Sequence, residues 1–418
     1  MQGMRGRKGT RLGSRRGTAG VRHTVLLGSL ALAGVTLSAC GSSPATSDTT
    51  TTSAVPRTST TKPPATTTST TSTTSTTAPG AACVTPPTRW SATRIANQLL
   101  MVLGYFTSAA SLAPEARAGA GGFVFLGEPA ASQKTALHAT LGGLDADAAS
   151  AGQVVPWMST DTEGGTVSRL AYVLGSIPSA RQMAAEWSTA QVESALETRG
   201  VALRQLGITM DLAPVIDTAS PTDPVADESQ RSFSATPGVV SEYASAFASG
   251  LRAGGVVAVG KHFPGLGHAS ANTDTGPSTD PSLAQLRSDD LIPFTRVVAS
   301  GVPVVMVGHP MVPGLSGNLP ASLSPATYSL LRHTLHFSGV AMTDSLGAGA
   351  ISAAGYSQAA AAVAAVRSSA DMPMVDQSTW QPAVAALVQA ITAGTIPRAQ
   401  VETSVGRILA AKGLTVCG

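Results

Sequence analysis

The chain has 418 residues, of which 43% are hydrophobic, 12% charged and 4% aromatic, with a formal charge of +3. That apolar content fills a sizeable core and excludes a wholly disordered chain, while three cysteines exclude both a disulfide-dense scaffold and a Cys-rich zinc module. Taken whole, the positive charge points to an acidic partner such as nucleic acid or a membrane surface, but it is spread unevenly along the chain.

Residues 1–23 carry Arg5, Arg7, Lys8, Arg11, Arg15, Arg16 and Arg22 and no acid, and an apolar run from Val25 to Leu37 follows. A basic segment, a run shorter than the roughly 20 residues a membrane span needs, and small residues at its end predict a signal peptide over 1–39. The ending Leu37-Ser-Ala-Cys40 resembles a bacterial lipobox, which implies lipidation of Cys40 and an exported lipoprotein held at the cell membrane, facing the cell wall. Residues 40–82 are almost entirely Thr, Ser, Pro and Ala, and without apolar periodicity they read as a tether. Cys83 and Cys417 stand at the two ends of the remaining region, and in an exported chain they suggest a disulfide joining its termini. The leader holds seven of the 27 basic residues, and the tether holds Arg57 and Lys62 against Asp48. Residues 83–418 therefore keep 18 basic and 23 acidic side chains, a net charge of −5 that removes the hint of nucleic-acid binding.

In that region short apolar runs alternate with Ala-rich helical stretches such as Thr189–Leu206 and Tyr243–Arg252. The strand candidates are Leu99–Phe106, Gly122–Leu126, Val154–Thr160, Ile208–Val215, Val256–Gly260, Val304–Val307, Val340–Thr343 and Met372–Val375. Uninterrupted runs of this length suit strands buried on both faces of a parallel sheet. Eight of them with intervening helices predict a single-domain α/β fold, a (β/α)8 TIM-type barrel, with a doubly wound open sheet as the competing arrangement. Polar residues recur after the strands: Asp161, Glu163 and Arg169; Asp217 and Arg231; Lys261 and His262; His309; and Asp344. In a barrel these positions converge at the carboxyl face, where active sites lie.

The same segments resemble glycoside hydrolase family 3, in particular its single-domain β-N-acetylglucosaminidases of the NagZ type. The resemblance rests on Asp161-Thr-Glu-Gly-Gly-Thr-Val-Ser-Arg169, Asp211-Leu-Ala-Pro-Val-Ile-Asp217, Arg231-Ser-Phe233, Lys261-His-Phe-Pro-Gly265, Asp290 to Phe294, and Met342-Thr-Asp344 onward to Ile351. It implies Asp344 as the nucleophile, a carboxylate that attacks an anomeric carbon and gives a covalent glycosyl-enzyme. It also implies Asp161, Arg169, Arg231, Lys261 and His262 as sugar-binding residues, although Arg231 and Lys261 also suit salt bridges that support the loops. Glu163, beside its Gly-Gly turn, reads as structural, and His309 as either a cavity residue or a buried, hydrogen-bonded one.

One departure stands out. The family's acid/base His falls on Asp274 and its supporting Asp on Asn272, while the middle His of the loop becomes Leu266 and the Asp after the second Gly becomes His268. Three readings follow: Asp274 protonates the leaving oxygen, His268 swings in to do so, or the loop has lost its acid; Asp274 is preferred. Thr166 replaces a family Arg, a lesser departure. The expected activity is that of an exo-acting retaining β-N-acetylhexosaminidase on peptidoglycan fragments or related glycans, with no metal or cofactor and with monomer as the favoured state. A β-glucosidase, β-xylosidase or phosphorylase of the same family, and a non-catalytic sugar-binding lipoprotein, are the alternatives.

Overall fold

A computed structural model of the chain describes residues 83–223, 225 and 230–417. The expected signal peptide 1–39, the lipidation site Cys40 and the tether 40–82 lie outside the described residues.

Eight parallel strands form a closed barrel in chain order: β1 Met101–Tyr105, β2 Gly122–Leu126, β3 Trp157–Thr160, β4 Met210–Asp211, β5 Val257–Phe263, β6 Val304–Val307, β7 Val340–Ser345 and β8 Met372–Asp376. β1 and β8 pair through Met101↔Met374, Val102↔Val375 and Leu103↔Asp376. That closure decides between the barrel and the open sheet.

The strand bounds shift for local reasons. Residue Leu99 ends the helix Ala92–Leu99, so β1 starts later than the apolar run suggests. In the third run Pro156 precedes the paired residues, and β3 begins at Trp157. Pro214 cannot donate to a ladder, so β4 is reduced to Met210–Asp211, with an isolated bridge from Val215 to Lys261 beyond it. Conversely, β5 runs on through Lys261 and His262, and β7 through Asp344 and Ser345, so these polar residues stand within the strand ends.

Helices cover the barrel. Thr189–Leu206 opens on a capping box of Ser188 and Gln191 and stops at Gly207, whose φ of 102° suits glycine. The helical run at Tyr243–Arg252 is part of a longer helix, Pro237–Ala253, with Pro at its first turn. These two helices approach closely at Gly250, where an added Cβ would lie 2.3 Å from the Glu193 carbonyl oxygen. Cys83 and Cys417 are joined by a disulfide, and beside it the Val84 N–H donates to Thr415 O at 2.8 Å and the Cys417 N–H to Val84 O at 2.9 Å. Among the described residues no helix is long and apolar enough to cross a membrane.

Candidate active site

The carboxyl end of β3 leads through Asp161 into a small hairpin, Thr162–Gly164 paired with Val167–Ser168. Gly164 makes its turn at φ 100°, where a Cβ would strike Pro178 O at 2.1 Å. Asp211 of β4 anchors the hairpin by accepting the Thr162 N–H at 2.9 Å and its hydroxyl. Burial pushes the Asp211 carboxyl up to about 7, against the Thr162 bonds and with the help of neighbouring Asp161.

The hairpin places Glu163 beneath two cations. Arg231 donates to it through Nε at 2.8 Å and Nη2 at 2.9 Å, and Lys261 Nζ lies 2.6 Å from Oε1. Lys261 Nζ also donates to Asp161 Oδ1 at 2.8 Å. Burial by itself raises the Glu163 pKa, but Arg231 and Lys261 outweigh it and bring the carboxyl down to about 2. Burial likewise works against the charge on Lys261 and Arg231, and the facing carboxylates win, raising both. Both cations thus make the supporting ion pairs while lining the cavity, and Glu163 is the residue that gathers them.

Strand alternation would send Lys261 and His262 to opposite faces, yet both line the cavity. The β5–β6 register shifts between Gly260 and Phe263, and such an irregularity re-aims side chains. Asp217 then fixes His262, accepting its backbone N–H at 3.0 Å and pairing with Nδ1 at 2.8 Å. An acceptor on Nδ1 puts the proton there and leaves Nε2 near Arg231 Nη2, 3.5 Å away.

Asp344, near the end of β7, accepts the Ser345 N–H at 2.7 Å. Burial pushes its pKa up, but His262, His309, the Ser345 N–H and Lys261 together hold it below the ordinary value. Asp274 lies on the loop after β5, where its N–H donates to Asn272 Oδ1 at 2.8 Å. The carbonyls of Thr273 and Asp274 accept the N–H groups of Ala350 and Gly349, at 3.0 and 2.8 Å, and so tie this loop to the segment following Asp344. The Asp274 side chain is exposed at the rim, yet surrounding protein raises its pKa and the Asp344 carboxylate adds to the rise. The histidines and Arg231 pull the other way and do not prevail.

These groups share one cavity of about 430 Å³, with Asp161, Arg169, Lys261, Asp274, Asp344 and Asp376 among its walls. Among the described residues, Arg169 Nε is buried with no hydrogen-bond partner. Leu266, at the position of the loop's middle His, lines the same cavity.

His268 takes a different place. It lines a separate cleft with Pro281, Gln285 and Leu286, with Nδ1 3.2 Å from Asp223 Oδ2 and Nε2 3.2 Å from Asp289 Oδ2. In this position Asp223 and Asp289 flank the ring, outside the cavity that Asp274 and Asp344 line. His309 is buried, with Nε2 donating to Ser345 O at 2.8 Å and Nδ1 facing Ser322 Oγ at 2.7 Å. Burial lowers its pKa despite Asp344 and the Ser345 carbonyl, and its two hydrogen bonds tie the strand end to Ser322. Thr166 is exposed at the hairpin turn. Sequence reasoning gave Asp217 no task and overlooked Asp376, which ends β8 and pairs with Gln358 through Oδ2 at 2.5 Å. Its position at the end of an apolar strand run, like that of Asp344, was the available signal.

A closed parallel barrel whose carboxyl rim gathers paired carboxylates and cationic side chains in one cavity defines a barrel-type glycoside hydrolase. The chain belongs to glycosyl hydrolase family 3: the family's N-terminal domain profile matches residues 98–411. It is 40% identical over 264 residues to the beta-hexosaminidase LpqI of Mycobacterium tuberculosis, an overlap of 61% of this chain and 68% of that protein. The solved structure of LpqI superposes with a TM-score of 0.72 at 35% identity, covering 80% of this chain and 98% of that one. A family 3 glycosyl hydrolase from Mycobacterium smegmatis gives a TM-score of 0.71 at 37% identity, over 78% of this chain and 98% of that one. A family 3 beta-N-acetylglucosaminidase from Paenibacillus sp. gives 0.70 at 30% identity, over 77% and 62% respectively.

Proposed function

We propose that this glycoside hydrolase removes terminal β-linked N-acetylglucosamine from peptidoglycan fragments or related glycans, exo-acting and with retention of configuration. The observation that carries the reading is that Asp344 and Asp274 line one cavity with their pKa values moved in opposite directions. Divergent environments of this kind separate a nucleophile from an acid. Asp344, kept ionised, attacks the anomeric carbon as the glycosidic bond breaks. Asp274, whose pKa is raised, gives its proton to the leaving oxygen. The resulting Asp274 carboxylate then takes a proton from the water that attacks the glycosyl-enzyme, which restores both groups. Asp161, Arg169, Arg231, Lys261 and His262 hold the sugar's oxygens, with the cations already oriented by Glu163 and the imidazole by Asp217. Names of related proteins, beta-hexosaminidase and beta-N-acetylglucosaminidase, support the substrate class.

The same proposal extends to the rest of the chain: a signal peptide over 1–39, lipidation at Cys40, a tether over 40–82 and the barrel domain over 83–418 place the enzyme outside the cell, held by its lipid. The Cys83–Cys417 disulfide supports export, since such bonds persist in oxidising compartments.

The test is hydrolysis of chromogenic N-acetyl-β-glucosaminides with good and poor leaving groups. Wild type is expected to turn over both, Asp344→Ala neither. Asp274→Ala should lose far more on the poor leaving group, because an activated aglycone needs little protonation. Equal losses on the two substrates would refute Asp274 as the acid, and turnover by Asp344→Ala would refute the nucleophile.

A further inference from the structure

Outside the sugar cavity, the loop after β5 meets the start of the helix Leu291–Ala299 in a cleft of about 250 Å³. Here His268, Asp289 and Asp290 each bring a ligand atom within 4.8 Å of the other two. His268 Nε2, Asp289 Oδ1 and Asp290 Oδ2 are all buried, and among the described residues none of them has a hydrogen-bond partner. Asp290 is only 1% exposed, and its other oxygen is fully used, accepting the Thr218 N–H at 2.9 Å and hydroxyl at 2.8 Å. Next to Pro281 of the same cleft, Asp280 is 4% exposed, and among the described residues neither of its oxygens has a partner. Among the described ion pairs, no Lys or Arg reaches Asp280, Asp289 or Asp290. Buried carboxylates without a counter-charge are costly, and a single imidazole does not balance this group.

We propose that His268, Asp289 and Asp290 hold a divalent cation, zinc by the chemistry of the donors, which pins the loop after β5 to the start of the following helix. One imidazole nitrogen with carboxylate oxygens is a zinc-type set. Tetrahedral zinc with bonds of about 2.0–2.1 Å separates its donors by about 3.3 Å. The His268 Nε2–Asp289 Oδ2 separation of 3.2 Å fits that spacing, and the pair does not make a directed hydrogen bond. The ion has a structural task and takes no part in the reaction. Through Asp290 it also steadies Thr218, the neighbour of the Asp217 that orients His262. The arrangement depends on a histidine at 268, one of the positions at which this loop departs from the family pattern.

The experiment is titration of tag-free, chelator-stripped full-length protein with zinc chloride alone, read by calorimetry and by the thermal midpoint. Wild type should bind one equivalent, and the midpoint should rise by about 4 °C at zinc roughly 100-fold above the dissociation constant. Both effects should vanish in His268→Ala and in Asp289→Asn. Asp289 is only half-buried, so its variant decides the matter if the histidine variant does not fold. Asp344→Ala should keep the zinc whether or not the proposed hydrolysis holds. The idea is overturned if wild type binds no zinc, if binding is unchanged in Asp289→Asn, or if Asp344→Ala abolishes it. In the first case His268 is simply a ring flanked by Asp223 and Asp289.

Discussion

Replacing Glu163 by Gln removes one negative charge from beneath Arg231 and Lys261 without changing the side chain's shape. Glu163 is 3% exposed and meets three donor contacts of 2.6 to 2.9 Å. Its carboxyl is brought from an ordinary 4.5 to about 2, a displacement worth about 3 kcal/mol of stability at neutral pH. An independent route gives the same size, since breaking a buried ion pair by removing one partner costs about 3–5 kcal/mol. Because the folded-state pKa lies below the unfolded one, the stabilisation is complete above about pH 4.5 and is lost as pH falls through 2. Urea unfolding of wild type and Glu163→Gln should therefore differ by about 3 kcal/mol at pH 7 and by only about 1 kcal/mol at pH 3. A gap below about 1 kcal/mol at pH 7, or one equally large at both pH values, would show that Glu163 does not hold the two cations as described.

The pH profile of kcat/KM should peak on the acid side, because Asp344 must be ionised and is held low while Asp274 must be protonated and is raised. Activity then falls as pH rises through the Asp274 pKa. In Asp274→Ala, assayed with an activated leaving group, that alkaline limb should flatten, and a limb that survives unchanged rules Asp274 out as the titrating group. Far from the cavity, buried Asp371 accepts bonds from Arg332, from Arg407 Nη1 at 2.9 Å, from Ser404 Oγ at 2.7 Å and from the Ala341 N–H at 2.9 Å. Asp371→Asn leaves two guanidinium groups without their shared counter-charge and should cost about 3–5 kcal/mol in urea unfolding, with little change in KM. A loss within about 0.5 kcal/mol would remove that network from the account of stability.

Much of the barrel was legible because each strand is buried on both faces and so reads as a short apolar run, as at Val304–Val307. Candidate site residues were legible for the same reason: a charged residue at the end of such a run, such as Asp344, has few places to be except the barrel mouth. Strand ends were less legible. The early end of β4 ahead of Pro214 and the register shift that turns both Lys261 and His262 inward depend on what the neighbouring strand offers.

The sequence by itself determined the alternation of strand and helix, the polar residues at the barrel's carboxyl rim and the absence of the usual His-Asp pair from the loop after β5. It left Asp274 and His268 as rivals, six residues apart on one loop, and nothing in their spacing separates them. Only the tertiary structure decided where each goes. Backbone bonds from Gly349 and Ala350 hold the Asp274 segment over the cavity, while Asp223 and Asp289 hold the His268 ring in another cleft. Those partners lie far along the chain from the residues they hold, and a loop's side chains are directed by the groups the fold brings against them.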